Sequence, residues 1–506
     1  MREPDRPEPA WIGIDLGTQS VRALALDDRG RQLGAESEPL TSHRSAGRHE
    51  QDPETWWVGA RDALRRLTAA LPPGVRPRAL AVSGTSGTLV PVSRADGIPT
   101  GPGVMYDDRR GADALPRVLA AGADLFARLG YRVQASWALP KIVTLLTAGG
   151  LGDEDVLAHQ PDVVTSRLAG RLLPSDLSSA LKSGADLDEV AWPDAVLDPL
   201  GVRSDLLNAL ARSGDVLGEV GPVAAEETGL PVGCAIVAGM TDGCAAQIAA
   251  GALQPGAWNS VLGTTLVLKG AADERRRDPT GAVYAHRAPF DGGWYPGGAS
   301  STGAGALTHW LPGRDLAGLS ADLDPDAPAP LAYPLVGRGE RFPFVADDAV
   351  AVLDPGLLEG DDEQLLAAIL TGVAWVERLA FDLVDLVGYD ASGPVLLTGG
   401  GVRNPVWNQR RADVLGRVLQ RPAYAEGAAG MAVLAAAGHA AENGSTEADP
   451  LAVAAARLLP PPRPVEPDLT RQPRLMEEYA AFLDALEPRG WVDPDLLAHA
   501  RARAAA

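Results

Sequence analysis

Apolar and polar positions alternate over residues 11–14 and again over residues 20–27, with Asp15, Gly17 and Thr18 in the polar gap between them. Period-two alternation on both sides of a glycine-containing gap predicts a β-hairpin. The strong turn Asp27-Asp28-Arg29-Gly30, followed by a third run at 31–37, extends the hairpin to a three-strand meander. The period then changes. Trp56, Trp57, Ala60, Leu64 and Leu67 recur at helical spacing and predict a helix over residues 53–71, stopped by Pro72-Pro73-Gly74. A short apolar run at 79–83 predicts a strand that enters the loop Gly84-Thr85-Ser86-Gly87-Thr88. Strand, helix and strand in this order indicate an α/β domain. Residues 110–230 read as mostly helical, broken by Pro and Gly.

The strand pattern returns at 234–239, ahead of Met240-Thr241-Asp242-Gly243 and a small-residue helix over 244–252. Apolar runs at 257–262 and 266–269, flanking Gly263, Thr264 and Thr265, predict a second hairpin. Two hairpins roughly 250 residues apart, each with a Gly and hydroxyl side chains at its tip, suggest a duplicated fold that grips phosphate from both sides. Further on, residues 362–387 form a long apolar helix closed by Gly388, and 394–398 a buried strand. Gly399, Gly400, Gly401 and Asn404 lead from that strand into a helix over 406–419. Three consecutive glycines favour close approach of a flat or bulky ligand, with a tight strand–helix turn as the alternative. From Leu459 the chain is rich in proline, then resumes as a helix at 475–486 and frays into an Ala/Arg end.

Composition narrows the classes. A chain of 506 residues with 46 % hydrophobic positions supports two or three packed domains. No run is long and apolar enough to span a membrane, and the first residues lack the apolar core of a signal peptide. A cytoplasmic protein is the economical reading. Net charge is −21, which opposes binding to nucleic acid or anionic lipid. Only Lys141, Lys182 and Lys269 supply lysine, and none follows the glycine pattern of a Walker-type phosphate loop. The dinucleotide fingerprint and the zinc- and serine-hydrolase motifs are also missing. Cys234 and Cys244 have no metal-ligand spacing.

At the first hairpin tip, Gly17 permits close backbone approach, Thr18 and Ser20 offer hydroxyls to phosphate, and Asp15 attracts a metal. An ordinary turn would use the same residue types. The choice follows from five pieces in order: residues 14–20 (Ile-Asp-Leu-Gly-Thr-Gln-Ser), 83–88 (Ser-Gly-Thr-Ser-Gly-Thr), 239–243 (Gly-Met-Thr-Asp-Gly), 261–265 (Val-Leu-Gly-Thr-Thr) and 398–407 (Thr-Gly-Gly-Gly-Val-Arg-Asn-Pro-Val-Trp). Together they resemble the FGGY family of carbohydrate kinases over nearly the whole chain after residue 10. The resemblance implies an α/β, duplicated actin-like (ribonuclease-H-like) ATPase fold of two domains with a catalytic cleft between them. The expected division is a disordered tail over 1–10, an N-terminal domain over 11–246, a C-terminal domain over 247–445 and a Pro-rich segment with a terminal helix over 446–506.

The resemblance also implies roles. Asp242 is the general base and a substrate contact, and Asp15 faces the substrate and organises magnesium. Gly17, Thr18, Ser20, Gly263, Thr264 and Thr265 hold the phosphates of ATP, while Gly399, Gly400, Gly401 and Asn404 border its adenosine. Thr85, Ser86, Asp107 and Asp108 meet the sugar, with Arg110 bracing the aspartates. The loop at 84–88 lacks the Met and His usual in xylulokinases and the Arg-Glu pair of glycerol kinases, which points to a D-ribulokinase or xylulokinase-like branch. Lys141-Ile142-Val143-Thr144 lacks the Trp of the family's usual signature. The expectation is an ATP- and magnesium-dependent kinase of a ketopentose, D-ribulose ahead of D-xylulose, with L-ribulose, gluconate and glycerol behind. An actin-fold ATPase or sugar sensor is the rival from another class. A homodimer is compatible with the sequence.

Overall fold

The computed structural model describes residues 7–505. The chain forms two compact units. The first contains the residues up to Gly251 together with His286–Trp294 and Tyr424–Pro460; the second contains Ala252–Ala285, Tyr295–Ala423 and the chain from Pro461.

The first unit is built on a six-stranded sheet, in spatial order Val216–Glu219, Ala235–Val237, Val75–Gly84, Glu8–Leu16, Ser20–Asp27 and Gln32–Pro39. Glu8–Leu16 pairs antiparallel with Ser20–Asp27 and parallel with Val75–Gly84. Both faces of this central strand are covered, so Trp11 to Ile14 are all buried instead of alternating between core and solvent as the pattern predicts. Ile12, Ile14 and Leu16 share a core with Trp57, Ala60, Leu64 and Leu67 of the helix Glu54–Ala69. On the other face the helix Gly427–Glu442 lies so close that a Cβ on Gly13 would stand 1.7 Å from the Ala428 carbonyl oxygen. The same helix meets Asp242–Ala250 at Gly430, where a Cβ would stand 2.0 Å from the Ala245 carbonyl.

The second unit repeats the plan. Its seven-stranded sheet runs Arg463–Val465, Leu419–Arg421, Val395–Thr398, Trp258–Leu262, Leu266–Gly270, Trp294–Ala299 and Tyr284–Arg287. Trp258–Leu262 pairs antiparallel with Leu266–Gly270 and parallel with Val395–Thr398, as Glu8–Leu16 does with its own neighbours. The duplication expected from two hairpins is therefore a duplication of whole sheets. The helix Asp362–Leu386 is buried over most of its length, and inside this unit Glu377 and Arg411, both fully buried, pair at 2.6 Å.

Several expected boundaries move. Glu8–Ala10 belong to the first strand rather than to a tail, and residues 1–6 of that expected tail lie outside the described residues. Residues 110–230 are chiefly helical among their regular elements, as expected, but also contain the short strands Asp155–His159, Ser175–Asp176, Leu210–Ala211 and Val216–Glu219. The division at 246 and 445 gives way to a first unit that reclaims Tyr424–Pro460, because the Gly427–Glu442 helix finds its partners on the first sheet. The C-terminal segment is not an appendage. Tyr479, Phe482 and Leu486 are fully buried in the second core, and Pro494–Ala505 is helical to its described end.

Candidate active site

The strand Glu8–Leu16 delivers Asp15 to the end of the first sheet, one residue before the hairpin turns. Register puts Asp15 opposite Arg22 and Leu16 opposite Val21, and the Gly17 N–H donates to the Ser20 carbonyl at 3.0 Å. The tip is pinned from outside by Gln51, whose Nε2 donates to the Thr18 carbonyl at 2.7 Å. Ser83, on the neighbouring strand, donates its hydroxyl to Asp15 Oδ1 at 2.8 Å. Burial pushes the Asp15 carboxyl up to about 6. The Ser83 bond opposes that shift, while the negative charges of Asp242 and Glu426 add to it.

Asp242 opens the helix Asp242–Ala250 and is exposed, with the Gly243 N–H donating to its Oδ1 at 2.7 Å. What precedes it is buried and fixed. Gly239 lies against the neighbouring strand, where a Cβ would stand 1.9 Å from the Val82 carbonyl. The Thr241 N–H donates to Ser178 Oγ at 3.2 Å, and Ser178 Oγ in turn meets His286 Nδ1 at 3.0 Å. Thr241 also bridges to Gly84, at the mouth of the 84–88 loop.

In that loop Thr85 is buried and its hydroxyl is engaged by Thr88 at 2.6 Å and by Gln160 at 2.8 Å. The buried hydroxyl of Ser86 has no hydrogen-bond partner. Asp107 pairs with Arg44 at 2.9 Å and with the His49 ring. Asp108 is fully buried and accepts from the Arg110 side chain, the Arg110 N–H and the His49 N–H. Burial raises this carboxyl, but those donors outweigh it and hold Asp108 below the usual range. Both oxygens of Asp108 are thus spent on bracing the loop. Arg110 divides itself between Asp108 and Glu50, and Asp107 is held by other residues.

In the second unit, Leu262 faces Leu266 and the tip is Gly263, Thr264 and Thr265, as the pattern predicts. The carbonyls of Gly263 and Thr264 accept from the N–H groups of Ala304 and Gly305. The glycine run separates into two roles. A Cβ on Gly399 would stand 2.6 Å from the Leu262 carbonyl, and one on Gly401 would stand 2.6 Å from the Leu262 side chain. These two glycines are required by packing on the hairpin strand. Gly400 alone is exposed, and a Cβ there would meet only the Arg403 side chain, at 3.4 Å. Asn404 caps the helix Pro405–Leu415 by accepting from the Trp407 N–H at 3.1 Å, and its amide donates to Ser320 at 2.9 Å.

The sequence model of the N-terminal domain of the FGGY family of carbohydrate kinases matches residues 10–249, and that of its C-terminal domain matches residues 259–439. The xylulose kinase of Streptomyces rubiginosus is 30 % identical over 471 residues, 88 % of this chain and 90 % of that protein. The chain belongs to the FGGY family of carbohydrate kinases. It is therefore a sugar kinase of two-domain FGGY fold, whose substrates are a sugar and ATP. The xylulose kinase of Streptomyces coelicolor is 29 % identical over 82 % of this chain and 84 % of its own. A crystal structure of xylulose kinase from Rhodospirillum rubrum superposes with a TM-score of 0.81 at 25 % identity, covering 95 % of this chain and 99 % of that one.

Among the described residues no three His, Cys, Asp or Glu side chains form a metal site by themselves. Magnesium asks for less in a kinase, one or two carboxylates with water and phosphate oxygens completing its shell. Asp15 fits that demand, since burial and two neighbouring negative charges already disfavour its bare anion. Sequence reasoning missed Ser83 beneath Asp15 and the Gly427–Glu442 helix, whose bare first residue sits 3.1 Å, by its would-be Cβ, from the Asp15 carboxylate. A signal existed in the Gly427, Gly430 and Gly438 positions of an alanine-rich run, which only a tightly packed helix needs. Among the described residues no helix is long and apolar enough to cross a membrane, and both cysteines are free and buried.

Proposed function

We propose that this chain transfers the γ-phosphoryl group of ATP to the terminal hydroxyl of a ketopentose, with Asp242 as general base. One observation carries the reading: an exposed carboxylate stands at the first position of a helix whose preceding residues are buried and hydrogen-bonded, with the partly buried Asp15 within its electrostatic reach. Phosphoryl transfer is chiefly positioning and charge neutralisation, so a fixed carboxylate that accepts the hydroxyl proton is enough acid–base chemistry. Asp15 would hold magnesium, which neutralises phosphate charge when bound. Gly17, Thr18 and Ser20, and Gly263, Thr264 and Thr265, would address the β- and γ-phosphates through N–H and hydroxyl donors. Gly400 and Asn404 would border the adenosine, on a surface shaped by Gly399 and Gly401.

Thr85, Ser86 and Asp107 would meet the sugar. D-Ribulose and D-xylulose differ in configuration at one carbon, and different observations favour each. The 84–88 loop, with hydroxyls where a xylulokinase usually has Met and His, favours D-ribulose. The names of the curated relatives favour D-xylulose. A coupled assay of ADP release across D-ribulose, D-xylulose, L-ribulose, gluconate and glycerol decides. Turnover with kcat/KM at least about tenfold higher for one ketopentose supports the reading. A preference for glycerol or gluconate, or ATP hydrolysis indifferent to sugar, overturns it.

A further inference from the structure

Three consecutive residues of the 84–88 loop are each held by a buried or half-buried side chain from a different element. Gln160, at the start of the helix Gln160–Ala169, accepts from the Thr85 N–H at 2.9 Å and from its hydroxyl at 2.8 Å. Lys182, in the turn Leu181–Ser183, donates to the Ser86 carbonyl at 3.2 Å. Lys141, in the helix Ala138–Thr147, donates to the Gly87 carbonyl at 2.7 Å. Lys141 also donates to the Met105 carbonyl at 2.9 Å, so one ammonium ties this loop to the segment that carries Asp107 and Asp108.

The choice of residue is informative. Of 45 basic residues only three are lysines, and two of those three are here. A compact ammonium fits between two carbonyls where a planar guanidinium would not. Lys141 is fully buried, and among the described residues no carboxylate lies within ion-pairing distance of it. That burial is costly. It brings the Lys141 ammonium down to about 7, helped by Lys182 and Arg110 and opposed by Asp108 and Asp107. The loop so held keeps the buried Ser86 hydroxyl without a partner, a hydrogen bond that a polyol can complete.

We propose that Lys141 is a positioning residue for the sugar: by clamping the Gly87 and Met105 carbonyls it sets the spacing of the two loops, and with it the sugar affinity. The inference rests on the reading of these loops as sugar-facing. In the full-length enzyme, Lys141→Met raises the sugar KM about ten- to hundredfold, the loss of two charge-assisted bonds, with the ATP KM within about twofold. Hydrogen–deuterium exchange then accelerates in residues 84–88 and 103–111 together. The neutral amine retains weaker bonds, so the wild-type sugar KM rises several-fold as pH increases through about 7, and in Lys141→Met that rise is absent. The assay substrate is whichever sugar or polyol the wild type turns over fastest, so a wrong ketopentose assignment does not count against the clamp. An unchanged sugar KM in folded Lys141→Met, or equal rises in the KM of sugar and ATP, overturns it. Should Lys141→Met fail to fold, Lys141→Arg keeps the charge without the compact shape, and an unchanged sugar KM in that variant overturns the clamp equally.

Discussion

Asp15 and Asp242 carry the same functional group in opposite settings, and the proposed reading gives them different work. Asp242 is exposed at the start of its helix. Asp242→Asn keeps the shape and removes the basicity, so kcat should fall by about 10²–10⁴ with ATP affinity little changed. Steady-state rates with a separate nucleotide-binding measurement check this, and a near-native rate removes the assignment. Asp15 has a carboxyl raised from 3.8 to about 6, so the fold prefers its neutral form. Its contribution to stability is present in full below about pH 4 and is lost as pH rises through 6. Asp15→Asn should therefore melt higher than wild type at pH 8, by on the order of 2 kcal/mol, and equally at pH 3.5, while losing magnesium-dependent turnover. Thermal melts at the two pH values test the sign. Both aspartates could be singled out in the sequence because each lies inside a short local motif. Lys141, Lys182 and Gln160 reach the 84–88 loop from 54 to 96 residues away, a convergence that only folding produces.

At the scale of elements, glycine had more than one meaning. The run Gly399-Gly400-Gly401 predicts ligand approach, yet two of its three members are dictated by contact with Leu262, and only Gly400 is left exposed. A linear sequence cannot separate these readings, since a Cβ is excluded by a neighbour as firmly as by a ligand. The hairpins were legible because strand alternation and a three-residue tip are local. The helix Gly427–Glu442 was not, because it is buried on nearly every side over its first three turns and so shows no polar face to mark its period. Its small residues are its packing surface. Gly430→Ala drives a methyl to 2.0 Å from the Ala245 carbonyl, and the displacement should cost about 3 kcal/mol or more, read as a lower melting temperature. Because that helix and Asp242–Ala250 would be pushed apart, kcat should fall as well.

For the molecule as a whole, the chain does not respect linear domain limits. The match of the N-terminal family domain ends at residue 249, but the first unit is completed by Tyr424–Pro460. A fragment ending at Gly251 leaves the backbone around Gly13 and Ala245 uncovered and should be recovered mainly as aggregate. Coexpression with residues 424–460 should restore soluble protein with a cooperative melt, measured by yield and circular dichroism. The sequence by itself determined the class of fold, the paired hairpins and the motifs that carry Asp15 and Asp242, since each depends on residues within a few positions of one another. Tertiary structure alone decided which glycines serve packing, which aspartate braces a loop, and where the first unit ends. Those answers depend on what lies across a few ångströms of space, and residues hundreds of positions apart supply it.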